Sequence, residues 1–258
     1  MGMRFGSLLT PAVKALLIAN VAVFLAQVLL RIGSPRALGG FEDLFALTPE
    51  VAFGRLRVWQ FVTYSFLHDT GNLLHILFNM FMLWMFGSEV ERALGRRRFL
   101  ALYFAAAFAG GVCMIPMYRD SVVGASAAVF GVMAVYARLY PARLLLVWGI
   151  FPVRARTLVL VLVGLDLFLA IQGSDSGTAH FAHVGGFALG WFFFRLERLV
   201  ERSRRTREMK KAGRAARQDA EVRRAEDELL AKVGREGLGS LTQSEREFLK
   251  RSSERFRS

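Results

Sequence analysis

The feature that most constrains this chain is the separation of its apolar and charged residues. Between residues 12 and 195, long apolar runs alternate with short polar loops, whereas residues 197–258 are charged and polar. This separation explains how 54% hydrophobic and 21% charged residues occur together in a chain of 258 residues. A soluble globule could not bury so much apolar surface, and disorder requires low hydrophobicity. The pattern therefore indicates a membrane protein with a charged tail.

Six apolar segments have about the length that a helix needs to cross the hydrocarbon core of a bilayer. The expected membrane-spanning helices lie at about 13–30, 72–90, 99–117, 125–140, 156–172 and 178–195. A further apolar stretch, Arg143–Pro152, is too short to span and is expected to lie at the membrane interface. We therefore predict an all-α polytopic membrane protein, with a six-helix bundle over residues 1–196 and a short helical tail.

Basic residues predict the orientation, because short cytoplasmic loops carry an excess of Lys and Arg. The loops after the second and fourth predicted spans are rich in Arg, whereas the loop after the third has one Arg and the loop after the fifth has none. Both termini are therefore expected in the cytoplasm. The net charge of +13 then acts mainly as an orientation signal. We expect the lipid bilayer, and no nucleic acid, as a partner of the basic residues.

The tail over residues 197–258 carries 18 Lys and Arg residues against 12 Asp and Glu residues. Apolar residues recur at helical spacing in its second half, and Gly237 and Gly239 interrupt them. Thr242 precedes Glu245 by three residues, which is the spacing of a capping box. We predict a basic cytoplasmic tail with a helical hairpin at about 226–256.

Polar residues inside the apolar segments are informative, because each must be hydrogen-bonded or functional. His75 and Asn79 are four residues apart near the outer end of the second predicted span, so they share a helix face. Ser126 lies at the outer end of the fourth span, and His183 lies near the outer end of the sixth. The predicted orientation thus places these four residues at similar depth, a few residues below the outer surface.

These residue types suit acyl transfer. A serine hydroxyl needs a neighbouring base to become a nucleophile, and histidine is the usual one. Asn and His side chains can donate hydrogen bonds to the oxyanion of a tetrahedral intermediate. Each residue alone has a structural explanation, since a serine often caps a helix and a histidine in a span often bonds a neighbouring helix. Together they indicate a Ser–His dyad with no evident third carboxylate.

Three motifs then resemble those of the rhomboid intramembrane serine proteases, over about residues 10–196. They are Gly124-Ala-Ser126, similar to the family's G-x-S; His75-Ile-Leu-Phe-Asn79, similar to H-x-x-x-N; and Ala182–Gly190, similar to A-H-x-x-G-x-x-x-G. The resemblance implies a serine endopeptidase of the cell (inner) membrane that cleaves transmembrane protein substrates in or near their spans, without a cofactor or metal. The alternative is a catalytically inactive rhomboid-like protein that binds transmembrane clients.

The resemblance also implies roles for individual residues. Ser126 would be the nucleophile and His183 the general base, and His75, Asn79 and the Ser126 backbone N–H would line the oxyanion hole. The residues that would pack the helices at the site are Gly124, Phe130, Gly186 and Gly190. Among these, Phe130 would stack on the base, and the two glycines of the sixth span would bring it against the fourth.

The chain departs from the family pattern at three positions. Ala127 stands where the family usually has Gly, Gln60 follows Trp59 where Arg is common, and Phe130 replaces a common Tyr. The added methyl of Ala127 is expected to crowd a neighbouring helix or shift the oxyanion hole. Gln60 lacks the charge of Arg, so it is not expected to anchor the first loop by an ion pair. None of these changes removes a catalytic group.

Three other polar residues have non-catalytic interpretations. His180 is expected to line the water-accessible mouth, His68 to sit at the interface, and Asp166 to form an interhelical hydrogen bond. Two histidines, His180 and His183, fall short of the three protein ligands that a catalytic zinc usually has. The sequence contains no H-E-x-x-H motif, which weakens the metalloprotease alternative, and no internal repeats of the kind that transporters show. The oligomeric state, the substrates and the role of the tail do not follow from the sequence.

Overall fold

The structure is a computed structural model that describes residues 9–115, 121–147, 150–172 and 180–255. The chain divides into two units, Met1–Phe194 and Arg195–Ser258. The sequence predicted a change of character near the same place, between residues 196 and 197.

Among the described residues of the first unit, three helical stretches are long and apolar enough to cross a membrane: Pro11–Gly33, Leu73–Leu94 and Arg96–Met114. The first is α1 and the third is α7, whereas the second consists of α5 (Leu73–Met82), a π-helical turn and α6 (Ser88–Leu94). Helix α8, Ser126–Leu139, is apolar but shorter. The predicted fold class, an all-α polytopic membrane protein, is confirmed. The count of six spans stays a prediction.

The other elements connect or extend these helices. The first loop folds into α2 (Pro35–Phe45), α3 (Pro49–Gly54), α4 (Gln60–Thr63) and a 3-10 turn over Tyr64–Phe66. The apolar stretch expected at the interface forms an antiparallel hairpin of β1 (Leu144–Val147) and β2 (Phe151–Arg154). Helices α9 (Ala155–Ile171) and α10 (His180–Glu236) follow. The sequence did not predict the two strands.

Helix α8 lies at the centre of the first unit. Ten of its 14 residues are buried, as expected for a helix that is apolar on every side. Small residues make this enclosure possible, since a Cβ atom built on Gly131 would lie 2.4 Å from the Cβ of Ala106 in α7. Close backbone approach through small residues is typical of helix packing in membranes. The nucleophile candidate thus begins the most buried helix of the unit.

A buried carboxylate joins the start of α1 to α6. Glu91 accepts hydrogen bonds from the backbone N–H groups of Ala12 and Val13, each at 2.9 Å, and from the hydroxyl of Thr10. The first N–H groups of a helix lack partners within the helix, and a negative charge is favourable there. Glu91 therefore fixes one end of α1 on α6, and both of its carboxyl oxygens accept hydrogen bonds there.

The second unit contains the end of α10, a 3-10 turn over Leu238–Ser240, and α11 (Gln243–Arg255). Glu245 in the first turn of α11 accepts a hydrogen bond from the Thr242 backbone N–H at 2.7 Å and bonds Lys232 in α10 at 3.0 Å. The Thr242 N–H and, after it, Lys232 hold the pKa of the Glu245 carboxyl below its usual value. Thr242 and Glu245 thus make the capping-box contacts that their spacing predicts.

Candidate active site

Ser126 is the first residue of α8, and the segment before it is held by backbone hydrogen bonds. Val122 and Leu47 form an antiparallel bridge with N···O distances of 2.8 and 3.0 Å, and the Gly124 N–H donates to the Tyr64 carbonyl at 3.0 Å. Gly124 has a φ of 128°, which glycine adopts without strain. A Cβ atom there would also lie 2.8 Å from Nε2 of His75. Glycine at 124 therefore permits both the turn and the approach of His75.

The structure brings Ser126 and His183 together although they are 57 positions apart in the sequence. The distance from Ser126 Oγ to His183 Nε2 is 2.7 Å, within hydrogen-bond range. The ring of Phe130 is nearly parallel to the imidazole of His183, with an interplanar angle of 4° and centroids 4.6 Å apart. Nucleophile and base candidates are thus in contact, and the aromatic residue stacks where the resemblance implied.

Gly186 and Gly190 determine how closely α10 approaches α8. A Cβ atom on Gly186 would lie 2.0 Å from the Ala127 carbonyl oxygen, and one on Gly190 would lie 2.1 Å from the Gly131 oxygen. Real Cβ atoms do not approach other atoms this closely, so no other residue type fits without moving the helices. The two glycines therefore permit the short distance between Ser126 and His183.

His75 and Asn79 both lie on α5, four residues apart. The Asn79 side chain donates to the His75 carbonyl at 2.8 Å, and Asn79 is buried. Both residues line a cavity of about 400 Å³ together with Ser126 and His183. The cavity thus contains a serine hydroxyl, a base and candidate oxyanion donors.

Asp166 in α9 makes the contact that the sequence did not foresee. Its Oδ1 atom lies 2.9 Å from Nδ1 of His183 and 2.7 Å from Nδ1 of His180, so α9 and α10 are hydrogen-bonded as expected. One of these bonds, however, is to the proposed base itself. The expectation that His180 lines the cavity mouth is wrong, because its side chain is buried and bonded to Asp166. The sequence did contain a signal for this contact, because an acidic residue within an apolar segment needs a partner or a function.

The same three side chains are the candidate metal ligands in the part of the chain that the structure describes. One ligand atom from each of Asp166, His180 and His183 lies within 4.8 Å of the others. With the carboxylate, the two histidines no longer fall short of three protein ligands. A metal ion at this position would bind the Nδ1 side of His183, the side opposite to Ser126.

His68 packs against His75 of the site, and its position at the membrane interface stays a prediction. Its side chain is fully buried, and its ring packs edge-on against His75 with centroids 5.2 Å apart. The His68 backbone N–H donates to the side-chain oxygen of Gln27 at 2.9 Å. Burial, and secondarily His75, lower the pKa of His68 to about 3, so the ring is neutral at physiological pH. The neutral ring of His68 therefore packs behind His75.

The departures from the family pattern have local compensations. A Cβ atom on Gly110 of α7 would lie 2.5 Å from the Cβ of Ala127, so the Ala127 methyl occupies the space that Gly110 leaves. Gln60 is buried and donates to the Asp43 carbonyl at 2.9 Å. Trp59 donates to the Leu44 carbonyl at 2.9 Å. Neutral hydrogen bonds thus anchor the first loop at this point.

The rhomboid domain family matches residues 55–198, more than half of the chain. This chain belongs to the rhomboid family. It is similar to RHOMBOID-like protein 4 of Arabidopsis thaliana, with 32% identity over 136 residues, which cover 52% of this chain and 32% of that protein. It is also similar to the rhomboid protease GluP of Bacillus subtilis, with 30% identity over 134 residues, 52% of this chain and 25% of that protein.

A third relative is the rhomboid protease GlpG of Haemophilus influenzae, with 27% identity over 180 residues, 67% of this chain and 84% of that protein. The matches to the first two relatives span a third or less of those proteins. The family match over 55–198 includes every residue that the sequence predicted for the site of this rhomboid, and also Asp166.

Proposed function

We propose that this rhomboid is an intramembrane serine endopeptidase that cleaves peptide bonds in or near the spans of transmembrane proteins. The observation that carries the proposal is the 2.7 Å contact between Ser126 Oγ and His183 Nε2 at the wall of a cavity. This distance allows the proton transfer that activates a serine. Two similar proteins are named rhomboid proteases, which supports the same activity.

In the proposed reaction, Ser126 Oγ attacks the substrate carbonyl carbon and its proton passes to His183 Nε2. The carbonyl oxygen becomes an oxyanion, for which His75, Asn79 and the Ser126 N–H at the start of α8 are the candidate donors. Collapse breaks the C–N bond, and the proton on Nε2 passes to the leaving amine. Water then attacks the acyl ester with His183 again as base, which releases the acid and restores Ser126.

The cellular setting of the proposal is the cell (inner) membrane, with both termini in the cytoplasm. Transmembrane proteins are then the substrates, and a substrate helix must unwind locally before its carbonyl can reach Ser126. The cavity beside Ser126 is lined by both polar and apolar side chains, which suits a site that admits water and an apolar segment.

Replacement of Ser126 by Ala tests this function. We expect cleavage of a model transmembrane substrate by purified protein in detergent to fall by at least about 10³-fold, because a triad or dyad loses its nucleophile. Ser203→Ala, in the second unit, is the control and should cleave like the wild type. A fluorophosphonate should label the wild type and Ser203→Ala but not Ser126→Ala.

Two results would contradict the proposal. Cleavage retained by Ser126→Ala would exclude Ser126 as the nucleophile. A wild-type protein that binds transmembrane segments but neither cleaves them nor reacts with the fluorophosphonate would instead be the inactive, client-binding rhomboid.

A further inference from the structure

We propose that Asp166 is a positioning residue for His183, so that the site operates as a Ser–His–Asp triad rather than a dyad. The proposal rests on the proposed protease function. It adds a third residue, from α9, to a site otherwise built on α5, α8 and α10.

The geometry assigns each side of the His183 ring to one partner. Nδ1 lies 2.9 Å from Asp166 Oδ1, and Nε2 lies 2.7 Å from Ser126 Oγ. An ionised carboxylate only accepts hydrogen bonds, so Nδ1 must carry the proton that it donates to Asp166. In neutral His183 the lone pair is then on Nε2, where it accepts the Ser126 O–H. Asp166 thus selects the tautomer that a general base requires.

Asp166 is also placed to offset the charge that His183 acquires. When Nε2 accepts the serine proton, the imidazole becomes a cation within 2.9 Å of the Asp166 oxygen. Asp166 is only 9% exposed, and electrostatic interactions are stronger where water is largely excluded. A carboxylate in this position stabilises the developing imidazolium during attack on the substrate carbonyl.

His180 holds the carboxylate in this position. Its Nδ1 donates to the same Asp166 oxygen at 2.7 Å, and both histidines lie on the first turn of α10. The other oxygen, Oδ2, accepts no hydrogen bond from the residues that the structure describes. A bond to His180 alone would have sufficed to join α9 to α10. The additional bond to Nδ1 of the proposed base is what assigns Asp166 to the reaction.

Kinetics of Asp166→Asn provide the first test, with the full chain in detergent or nanodiscs. Asn preserves the shape of Asp but removes its charge. We expect kcat to fall roughly 10²–10⁴-fold, as when a triad loses its carboxylate, with KM within about twofold because Asp166 acts through His183. Leu167→Asn, which puts the same amide on the next residue of α9, is the control and should retain activity. Asp166→Glu should recover part of the lost kcat.

The tautomer of His183 provides a second test that does not depend on activity. The chain has four histidines, so ¹⁵N-histidine labelling gives few signals, and His183→Gln identifies the one of interest. We expect neutral His183 in the wild type to carry its proton on Nδ1. In Asp166→Asn the population should shift toward the Nε2–H form, whereas a purely structural contact would leave the tautomer unchanged.

Four further outcomes are decisive. The proposal is wrong if Asp166→Asn retains kcat within threefold and the His183 tautomer is unchanged. It is also wrong if a chelator inactivates the wild type, because Asp166 and the histidines would then serve a metal ion. His180→Ala should lower kcat less than Asp166→Asn does, because the Asp166 bond to His183 remains; complete loss of activity in His180→Ala beside an active His183→Ala would make His180 the base and overturn the proposal. If the wild type never cleaves, the proposed function fails, and the tautomer still decides the role of Asp166.

Discussion

At the scale of single residues, the imidazole of His183 is held from three directions. Ser126 and Asp166 bond its two nitrogen atoms, and the ring of Phe130 covers one face at a centroid distance of 4.6 Å. Phe130 is one helical turn after Ser126, so α8 presents the nucleophile and the stacking ring together. A ring that is covered on its face and bonded at its edges has little freedom to rotate, which suits a base that must act repeatedly.

Replacement of Phe130 by Ala is expected to lower kcat/KM about 3- to 10-fold. Aromatic pairs contribute about 0.5–1.5 kcal/mol beyond area burial, and each 1.4 kcal/mol is about tenfold in rate. Phe130→Tyr keeps the stacking face and should retain activity. Phe168→Ala, at an exposed position of α9, is the matched control for loss of a phenyl ring. The measurement is steady-state cleavage of a model substrate, and wild-type rates in Phe130→Ala would show that stacking does not position the base.

Asp166 shows what the sequence could and could not predict at this scale. The cost of an acid in an apolar segment predicts that Asp166 has a partner, and an interhelical bond was expected. Which partner it has depends on the rotation of α9 about its axis and on residues 14 and 17 positions later. A uniformly apolar helix contains no pattern that fixes this rotation. Only the packed structure places Asp166 beside the proposed base.

At the scale of elements, the contact between α8 and α10 depends on Gly186 and Gly190. The nearest atoms to their missing Cβ positions are backbone carbonyl oxygens of α8, which cannot move independently of the helix. The pair of glycines four residues apart was predicted to bring these helices together. The structure adds which backbone atoms face them, namely the carbonyls of Ala127 and Gly131.

Gly186→Ala is therefore expected to separate α10 from α8 and to reduce cleavage at least about tenfold, with a lower thermal midpoint. The interior is close-packed and cannot absorb a methyl at 2.0 Å from the Ala127 oxygen without backbone movement. Gly164→Ala in α9 is the matched control, since a Cβ atom there meets nothing within 4 Å. Ala is favoured over Gly by about 0.5–1 kcal/mol within a helix, so this control should be neutral or stabilised. Equal thermal midpoints and rates for the two variants would contradict close packing at Gly186.

Hydropathy predicted the boundaries of a helix that is apolar throughout. It did not predict the type of element that a short apolar run forms. Helix α8 occupies Ser126–Leu139, within one residue of the predicted 125–140. The run Leu144–Val147 is also uniformly apolar, yet it forms β1. A short continuous apolar run fits a helix or a strand equally well, because only an alternating pattern separates them. The strand β1 could therefore not be predicted without β2, the strand that pairs with it.

At the scale of the whole molecule, the distribution of charge predicts how the protein is oriented in the membrane. The basic residues between α6 and α7 and around the hairpin contrast with the weakly charged segments before α8 and before α10. Ser126 begins α8, and His183 lies in the first turn of α10, so both sit at the ends that follow the weakly charged loops. The positive-inside rule therefore predicts that these ends, and the cavity with them, face away from the cytoplasm.

Cysteine labelling tests this orientation directly. In a Cys113→Ser background, which removes the single natural cysteine, Arg36→Cys in α2 and Met209→Cys in the tail each provide one exposed thiol. We expect a membrane-impermeant maleimide to label Arg36→Cys in intact spheroplasts and to label Met209→Cys only after permeabilisation. The opposite pattern would place the tail and its basic excess outside. Ser126 and His183 lie at the ends of their helices that are remote from the basic loops. The opposite labelling pattern would therefore also mean that the cavity opens to the cytoplasm. The expected cleavage sites would then move to the cytoplasmic ends of substrate helices.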